Sequence, residues 1–243
     1  MTRRTLVAAI ASSALALASG TGCGSGGDAS IAPGATTAVT GSATNPDGVP
    51  YPSPPSGYGH TARSGGTPGS VIQNFAFVGY PALTGDGAVP SSPSTISLAD
   101  YYDPCGKRTK MIHLSVAGVW CEACNEETDA VVAANAQLAA EGIVVLQALD
   151  DGPTEGVPAT LGDLGHWVEN HGSNFAEMLD PGLRNLGGFF PAAAIPWNAD
   201  IDPRTMEIVD SNEGWSGDVA GAITTSVLPA DPSYPIPMSA NCE

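Results

Sequence analysis

The sequence predicts an α/β layer sandwich with a mixed sheet, and three observations carry that prediction. From Asn74 onward, compact apolar runs alternate with stretches of helical periodicity, the pattern of strands paired in parallel across helical crossovers. The last two apolar runs are joined by only Asp202-Pro203-Arg204-Thr205, too short for a crossover, so they form an antiparallel hairpin. A Cys-x-x-Cys pair sits where a buried strand gives way to a helix.

Taken in order, Phe75 to Tyr80 is a short apolar run and the first strand. Ile96 to Tyr102 then leads into a turn at Asp103-Pro104-Cys105-Gly106-Lys107. Met111 to Val116 is apolar enough for a central strand buried on both faces. A helix follows from about Glu122 to Ala140, with Cys124, Thr128, Val131 and Leu138 near one face and Gly142 as its C-cap. Ile143 to Leu149 is a second buried strand, closed by Asp150-Asp151-Gly152-Pro153, where the two acids read as a solvated strand end. Thr160 is placed to cap a helix reaching His171, with Leu161, Leu164, Trp167 and Val168 at helical spacing. Phe175 to Leu179 is a short strand, Ala193 to Ile201 and Met206 to Val209 are the hairpin, and a last helix spans roughly Asp218 to Val227.

The first third has a different texture. Of 243 residues, 30 are Gly and 21 Pro, and they crowd the N-terminal part, so the folded domain is shorter than the chain. Residues 24 to about 70 carry few large apolar groups, as in Gly24-Ser25-Gly26-Gly27 and Pro50-Tyr51-Pro52-Ser53-Pro54-Pro55. Such a segment buries too little apolar area to offset its ordering entropy and reads as a tether, with local docking possible near Tyr51 and Tyr58. Ahead of it, Arg3 and Arg4 precede an apolar stretch from Leu6 to Ala18 and the small residues Ser19-Gly20-Thr21-Gly22, the pattern of an export signal. The expected organisation is a signal peptide over 1–22, a lipidated Cys23 with a Gly/Ser/Pro-rich tether over 23–73, and one domain over 74–243. Eight basic against 25 acidic residues give a formal charge of −17, a surface that repels phosphate backbones and argues against nucleic acid as a partner.

The chemistry is expected at Trp120-Cys121-Glu122-Ala123-Cys124. At a helix N-terminus, unpaired backbone N–H groups and the helix dipole favour a thiolate on the first cysteine, and thiolate is the nucleophile of disulfide exchange. Cys121 is therefore the expected nucleophile. Cys124, about one helical turn on, is the expected resolving thiol. Glu122 places a negative charge beside the thiolate, which leaves the direction of electron flow open.

Strand, Trp-Cys-x-x-Cys, helix, strand, helix, then Pro before paired strands resembles the thioredoxin-like fold, and more closely its exported redoxin branch of cytochrome-maturation type, over about residues 75 to 228. The resemblance implies a three-layer α/β/α sandwich with a central mixed sheet and thiol–disulfide oxidoreductase activity without a cofactor. Ser97-Leu98-Ala99-Asp100-Tyr101 is similar to the branch's lead-in to the central strand. The family places a cis-proline opposite the dithiol, which implies that Ile195-Pro196, with Pro191 as the other candidate, lies against the sulfurs and with Trp120 shapes a substrate groove. The sequence departs from many thioredoxins in carrying Ser115 six positions before the first cysteine, where an acid is usual, and Glu-Ala between the cysteines. Cys23 after small residues resembles a bacterial lipobox, and Thr2 to Val7 resembles a twin-arginine signal. Together these imply a lipid-anchored protein of the cell envelope, facing the periplasm or exterior, that exchanges disulfides with exported proteins and a redox partner protein.

Rival readings rest on the remaining residues. Zinc needs about four ligands, usually from paired motifs, and Cys105, Cys242, His113, His166 and His171 are scattered, so no metal is expected. Covalent haem needs His after the second cysteine, and Asn125 is there. The spacing is wrong for copper delivery, and no peroxidatic Pro/Thr/Cys motif occurs. In an oxidising compartment Cys105 and Cys242 are candidates for a structural disulfide; the alternative is a free or relaying thiol. Trp167 is expected in the core, and His113 as an interior or edge residue of the central strand. The competing reading of the whole chain is a redox-inactive envelope lipoprotein using the fold as a binding module.

Overall fold

The computed structural model describes residues 41–52, 70–81, 92–189, 194–219 and 223. Seven strands form one mixed sheet: β1 (Ala76–Tyr80), β2 (Ser94–Ser97), β3 (Met111–Gly118), β4 (Ile143–Asp151), β5 (Ala176–Leu179), β6 (Trp197–Asp202) and β7 (Glu207–Glu213), in the order β2-β1-β5-β4-β3-β6-β7. The pairs β3/β4 and β4/β5 are parallel and every other pair is antiparallel, including the expected β6/β7 hairpin. Helix α1 (Glu122–Glu141) connects β3 to β4, and α2 (Leu161–His171) connects β4 to β5.

Both helices lie on the same face of the sheet. The two crossovers step in the same direction, from β3 to β4 to β5, and right-handed connections in one direction keep their helices on one side. Contacts agree: Thr128 of α1 and Trp167 of α2 both reach Gln147 on β4, and His171 Nδ1 of α2 lies 2.7 Å from Asp129 Oδ1 of α1. The helix ends follow from local chemistry. Gly142 closes α1 at φ 87°, a left-handed conformation in which a Cβ is disfavoured. Thr160 and Asp163 form a reciprocal capping box at the start of α2.

The opposite face is covered, among the described residues, by short turns and irregular chain. Leu98–Tyr101 is a 3-10 turn capped by Ser97 and Asp100, so the predicted lead-in is a structural plug whose Leu98 and Ala99 are fully buried. A second 3-10 turn, Leu186–Gly188, adds Leu186. Residues expected within the tether complete the layer. Tyr51, Val71 and Ile72 are buried, Asn45 Nδ2 donates to the Tyr102 carbonyl at 3.0 Å, Tyr51 Oη donates to the Ile72 carbonyl at 2.9 Å, and the Ile72 N–H reaches the Met206 carbonyl at 2.8 Å. Val49, Tyr51, Val71 and Ile72, all within the segment expected as tether, pack with the same core as the strands. Tyr58 and the expected signal and lipidation segment lie outside the described residues. Of the expected last helix, Asp218, Val219 and Ile223 are described, the latter two helical, and Ile223 packs with Met111, Val131 and Val145 on the helix face.

Side chains alternate along each strand, so the register divides the sheet cleanly. Leu114, Val116, Leu146, Ala148, Ala176, Met178, Trp197 and Ala199 point into the turn-covered core, all apolar. Their neighbours Ser115, Gln147, Glu177 and Asn198 stand in register with one another and face the helices. This face holds a buried polar row, and the apolar row of Ala117, Leu149 and Leu179 separates it from the sheet edge where β3 ends.

Candidate active site

Cys121 and Cys124 form a disulfide with Cα atoms 5.2 Å apart. The chain leaves β3 at Gly118, turns through Val119 and Trp120, and enters α1 with Cys121 as the N-cap residue. Cys121 Sγ accepts the Cys124 N–H at 3.1 Å, one of the helix's otherwise unpaired donors. A charge on this sulfur would thus be held by a backbone donor and by the positive end of the helix dipole. Both residues are buried, Cys124 completely and Cys121 with 4% exposure, so Cys121 is the less buried of the two.

The Ile195–Pro196 peptide bond is cis, and the Ile195 carbonyl oxygen lies 3.6 Å from Cys121 Sγ. Ile195 packs with Ala117, Cys121 and Cys124. The two segments, distant in sequence, meet because β6 pairs directly with β3, Val116 opposite Trp197. Pro191 lies outside the described residues. On the other flank, Trp120 is 39% exposed and its Nε1 donates to Asp151 Oδ2 at 3.0 Å, an oxygen that also accepts the Gly156 N–H at 2.7 Å. The indole is therefore tied to the end of β4 while its ring stays open to solvent.

Asp150 and Asp151 are not the solvated strand end expected of them: they are 7% and 9% exposed. β4 runs on to Asp151 beneath the loop at 152–160, and the Ala159 N–H bonds the Asp150 carbonyl. Burial, with the charges of Asp151 and Asp180 beside it, pushes the Asp150 carboxyl up to about 7.

Beneath the first two turns of α1 lies the polar row. Gln147 is its hub: Nε2 donates to Ser115 Oγ at 3.1 Å, and Oε1 accepts Trp167 Nε1 at 2.9 Å and Thr128 Oγ1 at 3.1 Å. Thr128 Oγ1 also reaches the Cys124 carbonyl at 2.8 Å, which ties the dithiol's own helix turn to the sheet. Trp167 is thus in the core as expected, with its indole N–H satisfied by Gln147. Ser115 carries no charge, but a buried acid is present: Glu127, three residues after Cys124 and on the same buried face of α1. Its Oε2 accepts Asn198 Nδ2 at 3.1 Å and its Oε1 has no partner. Burial raises its pKa against the opposing pull of Asn198 and His113. Sequence periodicity lists Cys124, Thr128, Val131 and Leu138 for this face; Glu127 at i+3 from Cys124 was the signal available for the acid. His113, expected as an interior or edge residue, is buried with Nδ1 2.8 Å from Asp200 Oδ1.

Cys105 is disulfide-bonded, and Cys242, its expected partner, lies outside the described residues, as does Cys23. Among the described residues no group of three or more His, Cys, Asp or Glu side chains is placed to hold a metal ion, and no helix is long and apolar enough to cross a membrane.

No protein-family profile and no curated protein matches this chain in sequence. Solved structures with a similar backbone include the thioredoxin domain of a thiol-disulfide oxidoreductase from Bacteroides vulgatus, at 15% identity and TM-score 0.46, covering 62% of this chain and 91% of that one. A secreted thiol-disulfide isomerase from Corynebacterium glutamicum matches at 20% identity and TM-score 0.46, over 64% and 84% of the two chains. AhpC from Mycobacterium tuberculosis matches at 14% identity and TM-score 0.45, over 63% and 84%. With identities this low, the thioredoxin-like α/β assignment rests on this chain's own strand order, crossovers and cis-proline, and the chemistry rests on its dithiol.

Proposed function

We propose that this protein is a thiol–disulfide oxidoreductase that exchanges disulfides with exported protein partners through Cys121 and Cys124. One observation carries the reading: the Cys121–Cys124 disulfide caps α1 beside the cis Ile195–Pro196 peptide, with Cys121, the less buried residue, at the helix N-terminus. In the reducing direction, the Cys121 thiolate attacks one sulfur of a partner disulfide, forming a mixed disulfide and releasing the other sulfur as a thiolate. Cys124, deprotonated, then attacks Cys121 Sγ. The partner's second sulfur leaves as a thiolate and takes up a proton, so the partner gains two electrons and the Cys121–Cys124 pair is oxidised. Starting from the disulfide, the same steps in reverse oxidise a partner dithiol. Cys124 is the sulfur that must lose a proton out of contact with solvent, and Glu127, one turn along the same face, is the buried carboxyl of α1 that can accept it. Ile195, Pro196 and Trp120 border the Cys121 sulfur and form the groove for the partner segment.

Export and envelope anchoring belong to the same proposal and are supported by the N-terminal pattern of Arg3, Arg4, the apolar stretch Leu6 to Ala18 and Cys23. Reduction of insulin disulfides by the purified protein tests the chemistry: turnover that disappears in Cys121→Ser is the expected result, and unchanged turnover in that variant refutes it. A mature form that is wholly soluble and not acylated refutes the anchor.

A further inference from the structure

The β3/β6 ladder places four polar side chains in a two-by-two patch under α1. Ser115 stands opposite Asn198, and His113 opposite Asp200, all on the helix face. All four are buried. His113 and Asp200 are within 2.8 Å of each other, Asn198 bonds Glu127, and Glu127 interacts electrostatically with His113. Two buried atoms of this patch, Glu127 Oε1 and Asn198 Oδ1, have no hydrogen-bond partner. Two carboxyls and one imidazole thus share a space cut off from solvent, and one imidazole can balance only one carboxylate. Among the described residues, other charged groups that approach it are few. Asp210 of β7 stands in register with Asp200, β4 sets the uncharged Val145 and Gln147 beside His113 and Ser115, and Glu177 of β5 lies beyond Gln147. On α1 the carboxyl is Glu127 itself, and Ile223 adds no charge.

We propose that His113 and Asp200 are positioning residues for the dithiol: as a pair they set the charge of Glu127, and through it the ease with which Cys124 gives up its proton. The consequence for exchange rests on the oxidoreductase reading; the coupling to Glu127 does not. The signs are opposite for the two partners. Removing the imidazole withdraws the group that favours the Glu127 carboxylate, so its titration moves to higher pH. Removing the Asp200 charge withdraws a repulsion, so its titration moves to lower pH. Loss of packing alone has no reason to produce shifts of opposite sign.

The test follows the Glu127 carboxyl carbon by NMR across pH in the reduced full-length protein, in its wild-type, His113→Gln and Asp200→Asn forms. The expected result is displacement up in the first variant and down in the second, each by roughly one pH unit. In both, the pH midpoint for resolving a preformed mixed disulfide moves with it, and this sensitivity disappears in a Glu127→Gln background. Displacement in the same direction, or none, overturns the proposal. If one variant does not fold, the sign in the other decides, with His113→Asn replacing His113→Gln where needed. An inert dithiol by thiol titration, together with opposed Glu127 shifts, refutes the oxidoreductase reading and leaves the coupling standing.

Discussion

The two faces of the sheet are built on opposite principles. Toward the turn-covered side, the central strands set Leu114, Val116, Leu146, Ala148, Ala176, Met178, Trp197 and Ala199 into one apolar core. Toward the helices the same strands present Ser115, Gln147, Glu177, Asn198, His113 and Asp200, all buried. Polar groups buried at this density weaken a fold unless each finds a partner. Several do, through Gln147, but Glu127, Glu177 and Asn198 each keep an unpartnered oxygen. Apolar packing occurs on both faces, since Met111, Val131, Val145, Ala117, Leu149 and Trp167 pack on the helix side, but there a row of buried proton-carrying groups also underlies the helix that holds both sulfurs.

That comparison can be broken or sharpened by substitution. On the apolar face, Leu114→Ala should cost about 2–5 kcal/mol in urea unfolding while leaving the exchange rate of the folded molecules unchanged. A slower exchange at full folding would show that the faces are not separable. On the helix face, Gln147→Leu takes the donor from Ser115 Oγ and the acceptor from Trp167 Nε1, and unties Thr128, which keeps the Cys124 carbonyl, from the sheet. A loss of about 1–3 kcal/mol is expected, together with altered exchange, because Thr128 holds the Cys124 turn.

A smaller effect concerns pH. Burial raises the Glu177 carboxyl to about 8 from an ordinary 4.5. The folded state therefore binds this proton more tightly than the unfolded state does. The associated stability is complete below about 4.5 and is lost as pH rises to about 8. Glu177→Gln should match the wild type in acid and exceed it above pH 8, read as the difference between urea midpoints; parallel profiles would contradict this. The smallest stability effect is expected at Trp120→Ala, since the ring is 39% exposed. That variant should raise KM for a protein disulfide a few-fold while leaving the reaction with a small disulfide almost intact.

Much of this arrangement is legible in the sequence because it depends on local chemistry. The runs Met111 to Val116 and Ile143 to Leu149 have no alternative to burial. Gly142 and Thr160 mark helix ends by their own conformational preferences, and the strand–Cys–helix junction identifies the dithiol. What escapes depends on register and long-range contact. His113 and Ser115 look incidental within an apolar strand until Asp200 and Asn198 are set opposite them. Glu127 reads as an ordinary helical acid until α1 is laid on that patch. Asp150 and Asp151 look like a solvated end until the loop at 152–160 folds over them. Tyr51 docks only because Ile72 and Tyr102 are brought beside it.

The central claim is that Cys121 attacks and Cys124 resolves. Trapping with Cys124→Ser, followed by mass mapping of the captured species, tests it most directly. The account predicts a stable mixed disulfide between Cys121 and a partner cysteine. Capture through Cys105, or no covalent adduct with any protein disulfide while Cys121 titrates as a free thiol, would contradict it.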